Sequence, residues 1–150
     1  MSHFSIRVDW QRTTPDFDPK TFDRSHLWYL AGGQTVQGSA APDYSGNPEM
    51  SNPEEALLAS LSSCHMLTFL TIAALRKLVV DHYEDEPTAE LGKNAKGKMM
   101  VARLTLRPRV VFSNDTLPDA DTVQELHRKA KENCFVGNSL LSEMVLEPRF

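Results

Sequence analysis

Apolar and polar positions along the chain alternate, break off and then merge, and the changes mark its elements. Residues 3–10 place Phe4, Ile6, Val8 and Trp10 on one face, which predicts a half-buried strand. Residues 11–23 are rich in Pro and Asp and read as loop. Residues 25–31 and 34–40 predict two strands joined at Gly32–Gly33, and 41–51, with Pro42, Gly46 and Pro48, predict a second loop. From Asn52 to Leu78 the alternation stops. Apolar residues lie on every side, and no charge occurs between Glu55 and Arg76. Asn52 can cap, Pro53 suits the first helical position, Glu54 and Glu55 suit the positive end, and Arg76 and Lys77 suit the other. This predicts one long helix, buried all round.

Beyond it, Val79–Leu91 reads as a strand with Pro87 at an edge or bulge, and 92–97 as a turn. Met99–Phe112 reads as a long strand whose pairing Pro108 interrupts. Residues 119–133 predict a second helix, with Val123, Leu126 and Ala130 on its apolar face and Gly137 as a stop. A short helix, Asn138–Ser142, and a last strand, Glu143–Phe150, follow. The order predicts an α+β fold in which antiparallel sheets wrap a long buried central helix, within a single domain spanning residues 1–150. A 27-residue helix is about 40 Å long. A compact domain of this size has a radius of gyration near roughly 15 Å. Part of the helix is therefore expected to face a second subunit, as in a twofold homodimer.

Composition narrows the partners. A net charge of −4 leaves no basic excess to neutralise phosphates, which argues against nucleic acid. The uncharged stretch is long enough to span a bilayer, but Ser60, Ser62, Ser63, His65, Thr68 and Thr71 interrupt it, and no aromatic belt flanks it. The expectation is a soluble protein without a membrane partner. The N-terminal sequence has no apolar signal core, so a cytoplasmic location is expected. His3, His26, His82 and His127 show no metal-ligand spacing with a cysteine, so neither a metal nor a cofactor is expected.

The chain has two cysteines, too few for a disulfide scaffold. Either can be a small core hydrophobe. However, Cys64 lies among Ser62, Ser63 and His65, and Cys134 lies at a helix end, one turn beyond Ala130. Such an arrangement suits peroxide reduction, in which one thiolate becomes a sulfenic acid and a second thiol condenses with it.

Asn52-Pro53-Glu54-Glu55, followed nine residues later by Cys64, resembles the central-helix motif of the OsmC/Ohr family of thiol-dependent peroxidases. Cys134, with Asn138-Ser139-Leu140 after it, resembles that family's second-cysteine segment. The resemblance covers essentially the whole chain. It implies an intertwined homodimer with active sites at the subunit interface. It also implies reduction of organic hydroperoxides by Cys64, resolution by Cys134, and recycling by a lipoyl-type dithiol reductant. The family's glutamate falls on Glu54, and its arginine, by spacing through the hairpin to Pro42, on Arg24. The sequence departs from the family at Phe135, usually proline, at His65, and in lacking Gly-Gly before the arginine.

A buried mid-helix thiol gains little from the helix dipole, so a cation is expected to stabilise the Cys64 thiolate, and Glu54 can orient Arg24. Glu54 and Cys64 are about 15 Å apart along one straight helix. Either the helix breaks or the partner subunit supplies Glu54. Met66, Phe69, Phe135 and His65 are candidate walls of an apolar substrate pocket, and core filling is open to each. Adjacent positions on a helix diverge by about 100°, so His65 is poorly aimed as a base for Cys64. Two other functions stay open: a dimeric binding protein with reduced cysteines, and a Cys-dependent hydrolase.

Overall fold

The computed structural model describes residues 1–150. They form two compact units, Met1–Ala56 and Leu57–Phe150. In the first unit, β1 (Ile6–Asp9), β2 (His26–Leu30) and β3 (Thr35–Gly38) form an antiparallel sheet in that order. The β2–β3 turn closes with the Leu30 N–H on the Gln34 carbonyl at 2.8 Å and Gly33 at φ +90°. The stretch between β1 and β2, read as open loop, is tied by aromatics. Trp10, Phe17 and Phe22 meet with ring centroids 5.3–6.0 Å apart, and the Trp10 indole donates to the Asp23 carbonyl at 2.7 Å. Gly46 turns so close to Ala40 that a Cβ there would sit 1.6 Å from its carbonyl oxygen.

The long helix, α1 (Pro53–Leu75), begins as predicted. Asn52 Oδ1 accepts the Glu55 N–H at 2.8 Å, and Glu55 reaches back to the Asn52 N–H at 3.3 Å, a reciprocal cap. It ends a turn earlier than predicted. Lys77 adopts a left-handed conformation at φ +60°, the Lys77 N–H bonds Ala74, and the Leu78 N–H bonds Ala73. These two bonds engage the Ala74 and Ala73 carbonyls and fold Leu78 back onto Ala73. Arg76 and Lys77 thus lie just past the helix.

Within the second unit, β4 (Val80–Glu84) pairs with β7 (Arg109–Phe112), and β5 (Thr88–Lys93), β6 (Met99–Leu106) and β8 (Glu143–Leu146) form a second sheet. Each of the two long predicted strands is therefore split between sheets. At Asp85–Pro87 the ladder fails because Pro87 has no N–H, while the Asp85 carboxylate accepts the Arg107 N–H and the Ser62 hydroxyl, both at 2.6 Å. Pro108 breaks the other strand. β8 pairs parallel to β6, an exception in otherwise antiparallel sheets. The helix α2 (Ala120–Asn133) lies in the crossover connection between them, capped by Asp119, whose Oδ1 accepts the Thr122 N–H at 2.8 Å. After α2 comes a 3₁₀ turn, Gly137–Ser139, in place of the predicted helix Asn138–Ser142, because Leu140 is already extended.

α1 is not buried all round. Leu61, His65, Phe69 and Ala73, spaced every four residues, form its one fully buried stripe, while Leu67 and Leu75 are exposed. Phe69 and Ala73 join Phe112, Leu126 and Ala130 in one apolar cluster, and Leu61 joins Leu104, Leu106 and Cys134 in another. His65 falls between them. Burying each of these leucines contributes roughly 1.5–3 kcal/mol. α1 is long and apolar enough to cross a bilayer. Its buried stripe nonetheless carries a histidine bonded to α2, as a core helix would.

Candidate active site

The α1 stripe and the end of α2 bring the two cysteines together. Cys134 is the C-cap of α2 and fully buried, while Cys64 is half-buried and packs against the cluster that contains Cys134. Burial by itself pushes the Cys64 thiol up. The Val136 N–H, the Cys134 thiol and the Phe135 N–H oppose this and win, leaving Cys64 below the ordinary thiol value. The Thr68 hydroxyl adds to them, although it has one proton to share between the sulfur and the Cys64 carbonyl, 2.8 Å away. Burial and the hydrogen bond to Cys64 push Cys134 up to about 11, while the Gly137 N–H, 3.3 Å from its sulfur, opposes the rise. The two shifts run in opposite directions because Cys134 acts as donor and Cys64 as acceptor in the hydrogen bond between them.

The sequence calls for a cation at Cys64; the donors that lower it within this unit belong to the turn after Cys134. The Phe135 N–H is one that a proline at that position would lack. Phe135 itself is 85% exposed. Met66 is half-buried, and His65 and Phe69 have no exposed surface. Phe69 packs its ring against Tyr83, Phe112 and His127.

His65 has a partner that the sequence did not announce. Its Nε2 lies 3.1 Å from Nδ1 of His127, and the rings are parallel. Burial pushes both down to about 4, so both are neutral at pH 7 and share one N–H between them. His65 Nδ1 and His127 Nε2 are each buried without a hydrogen-bond partner. The signal was present: Val123, His127, Ala130 and Cys134 follow one helical stripe.

Arg24 and Glu54 belong to the first unit. The Arg24 guanidinium donates to the Phe22 carbonyl at 2.9 Å and the Pro19 carbonyl at 2.6 Å, and its Cζ sits 4.0 Å over the Phe22 ring. Both bonds go to neutral oxygens, so the charge is positioned without being neutralised. Arg24 lines a cavity of about 430 Å³ walled by Trp10, Phe17, Phe22, His26 and Pro53. Glu54 is half-buried in the first turn of α1, its Oε2 without a hydrogen-bond partner. α1 runs unbroken from Glu54 to Cys64, which removes the broken-helix alternative.

Known proteins are similar to this chain in sequence or fold. An OsmC-like protein of unknown function from Vibrio cholerae is 40% identical, with a TM-score of 0.95 over 99% of this chain and all of that one. The uncharacterized protein YmaD of Bacillus subtilis is 20% identical over 97% of this chain and 91% of its own length. The organic hydroperoxide resistance protein OhrB of Bacillus subtilis shares the fold, with a TM-score of 0.67 at 20% identity, over 97% of this chain and 98% of that one. Residues 46–149 match the OsmC-like protein family, and the chain belongs to that family.

Proposed function

We propose that the protein reduces organic hydroperoxides with Cys64 as the attacking thiol and Cys134 as the resolving thiol. The observation that carries this reading is the packing of Cys64 against Cys134, with hydrogen bonds that lower Cys64 and raise Cys134, the division of labour a peroxidase dithiol needs. The Cys64 thiolate attacks the terminal peroxide oxygen. The O–O bond breaks, an alkoxide leaves and takes a proton to become the alcohol, and Cys64 becomes a sulfenic acid. The Cys134 sulfur then attacks the Cys64 sulfur, water leaves, and a disulfide forms. A dithiol, of the lipoyl type, takes the disulfide back to two thiols and is itself oxidised to a disulfide.

Arg24 is the cation that holds the peroxide oxygen, and Glu54 orients it by a paired hydrogen bond. The apolar walls around Arg24 support an alkyl or lipid hydroperoxide over hydrogen peroxide. Both residues are assigned to the site formed with Cys64 of the partner subunit, in a homodimer. Exposed Phe4 just before β1 and Ile6 and Val8 on it in one unit, and Leu67 and Leu75 on α1 in the other, support a second copy as their cover.

Reduced protein mixed with one equivalent of cumene hydroperoxide tests the reading. Intact mass should fall by two hydrogens, with loss of both thiols, and Cys64→Ser should abolish the change. Two thiols that survive excess peroxide would overturn it and leave a dimeric binding protein with reduced cysteines.

A further inference from the structure

A second cavity, of about 230 Å³, lies wholly within the Leu57–Phe150 unit and has no part in the dithiol chemistry. Val110, Phe112, Pro118 and Val123 give it apolar walls. Two polar side chains also reach it, His127 and Arg149. His127 is 2% exposed, and its Nδ1 is already engaged by His65, so the edge of the ring left for a ligand carries Nε2, which has no partner. Arg149 spends its Nε on the Arg107 carbonyl at 2.8 Å. Its Nη1 and Nη2 only approach Glu86 and Glu84, at 3.7 and 3.8 Å, and Nη2 is buried without a hydrogen bond. A buried polar atom left unpaired costs roughly 1–3 kcal/mol. Arg149 Nη2 is a donor and His127 Nε2 is one in the tautomer that carries its proton there, so an acceptor in this cavity can pair both. Ala120, the first residue of α2, also lines the wall.

We infer that this cavity binds a small monocarboxylate with a compact apolar body, such as an aromatic or short-chain fatty acid. The carboxylate accepts from Arg149 Nη2 and from His127 Nε2–H, and the apolar walls take the body. The guanidinium holds Glu84 and Glu86 only at 3.8 and 3.7 Å, so a carboxylate bonded directly to Nη2 competes with two longer ion pairs, and the neutral imidazole brings no charge of its own. A phosphate would bring a second charge and nothing to fill the apolar walls. Binding fixes the tautomers of the histidine pair. With His127 protonated at Nε2, its Nδ1 can only accept, so the shared N–H belongs to His65 Nε2. The site is thereby wired through α2 to the α1 stripe.

Isothermal titration calorimetry of the full chain with benzoate at pH 7 tests this, with inorganic phosphate as the plain anion and octanoate as the longer acid. Saturable benzoate binding is expected. Arg149→Gln removes the charge and Ala120→Phe fills the cavity without touching the histidines; each should weaken benzoate by about ten-fold or more. Arg24→Gln, in the other cavity, should leave it unchanged. In the unaltered protein, benzoate should also shift the ¹⁵N resonance of His127 Nε2. The inference is overturned by no saturable binding, by phosphate binding as tightly as benzoate, by binding indifferent to both cavity variants, or by loss in Arg24→Gln instead. It does not rest on the peroxidase reading, since none of these measurements involves either cysteine.

Discussion

At Cys64 the deciding interactions are local and specific. A thiol in an apolar cluster should be a poor nucleophile at neutral pH, because burial disfavours its anion. The turn after Cys134 reverses this with donors aimed at the sulfur. Replacing Cys134 by alanine removes one of them, so the midpoint of Cys64 thiolate formation, followed by absorbance at 240 nm, should move to higher pH. An unchanged midpoint would mean that the backbone donors act alone. The histidine pair gives a separate pH signature. His65 faces Asp85 and Lys131 besides His127, yet burial dominates, and both rings titrate near 4 in place of 6.5. Between those values the unfolded chain binds protons that the folded one refuses, so stability rises with pH across the window and falls as the pH drops through it. The loss from pH 6.5 to 4 is on the order of 2–3 kcal/mol for each ring, about 5 kcal/mol for the pair. Urea midpoints at pH 7.5 and 5 should show it, and a His65→Phe/His127→Leu double variant should show a flatter dependence.

At the scale of elements, what the sequence made legible was the chemistry that acts over a few residues. Asn52 and Glu55 cap α1 as their spacing requires, Asp119 caps α2, and Gly33 turns the hairpin. The end of α1 escaped because a lysine takes the left-handed position that glycine usually fills. That choice costs stability, since a Cβ is disfavoured there while glycine loses more freedom on folding. Lys77→Gly should therefore stabilise the protein by about 0.5–1 kcal/mol, read from the urea midpoint at unchanged slope. A destabilised variant would mean that the Lys77 side chain makes up the difference elsewhere. The split of both long strands and the parallel pairing of β8 were not legible. Pro87 and Pro108 signal a break, but which halves then pair is fixed by partners some 20–40 residues away, at Asp85–Arg107 and Arg103–Glu143. The site followed the same rule. The cysteines were readable from their positions on two helices, whereas the donors at 135 and 136 and the His65–His127 contact needed the fold.

For the whole molecule, one chain leaves its longest helix half covered and its glutamate out of reach of its cysteine. α1 is apolar on every side but fully buried along a single stripe, and Leu67 and Leu75 would each gain from cover. Glu54 and Cys64 lie about 15 Å apart along that unbroken helix. A twofold axis answers both needs, because it can lay the exposed face of α1 against a second copy and bring one subunit's first helical turn to the other's cysteine. Subunit mixing decides whether it does. Glu54→Gln and Cys64→Ser should each be inactive alone toward cumene hydroperoxide. Mixed in equal amounts and allowed to exchange, half of the dimers combine the two variants. If Glu54 serves the partner's Cys64, each mixed dimer holds one intact site, and about a quarter of the unaltered activity should return. If Glu54 serves its own subunit, no site in any dimer is intact and activity stays at zero. Light scattering on the same samples should give twice the chain mass, and a monomer would remove the shared site altogether.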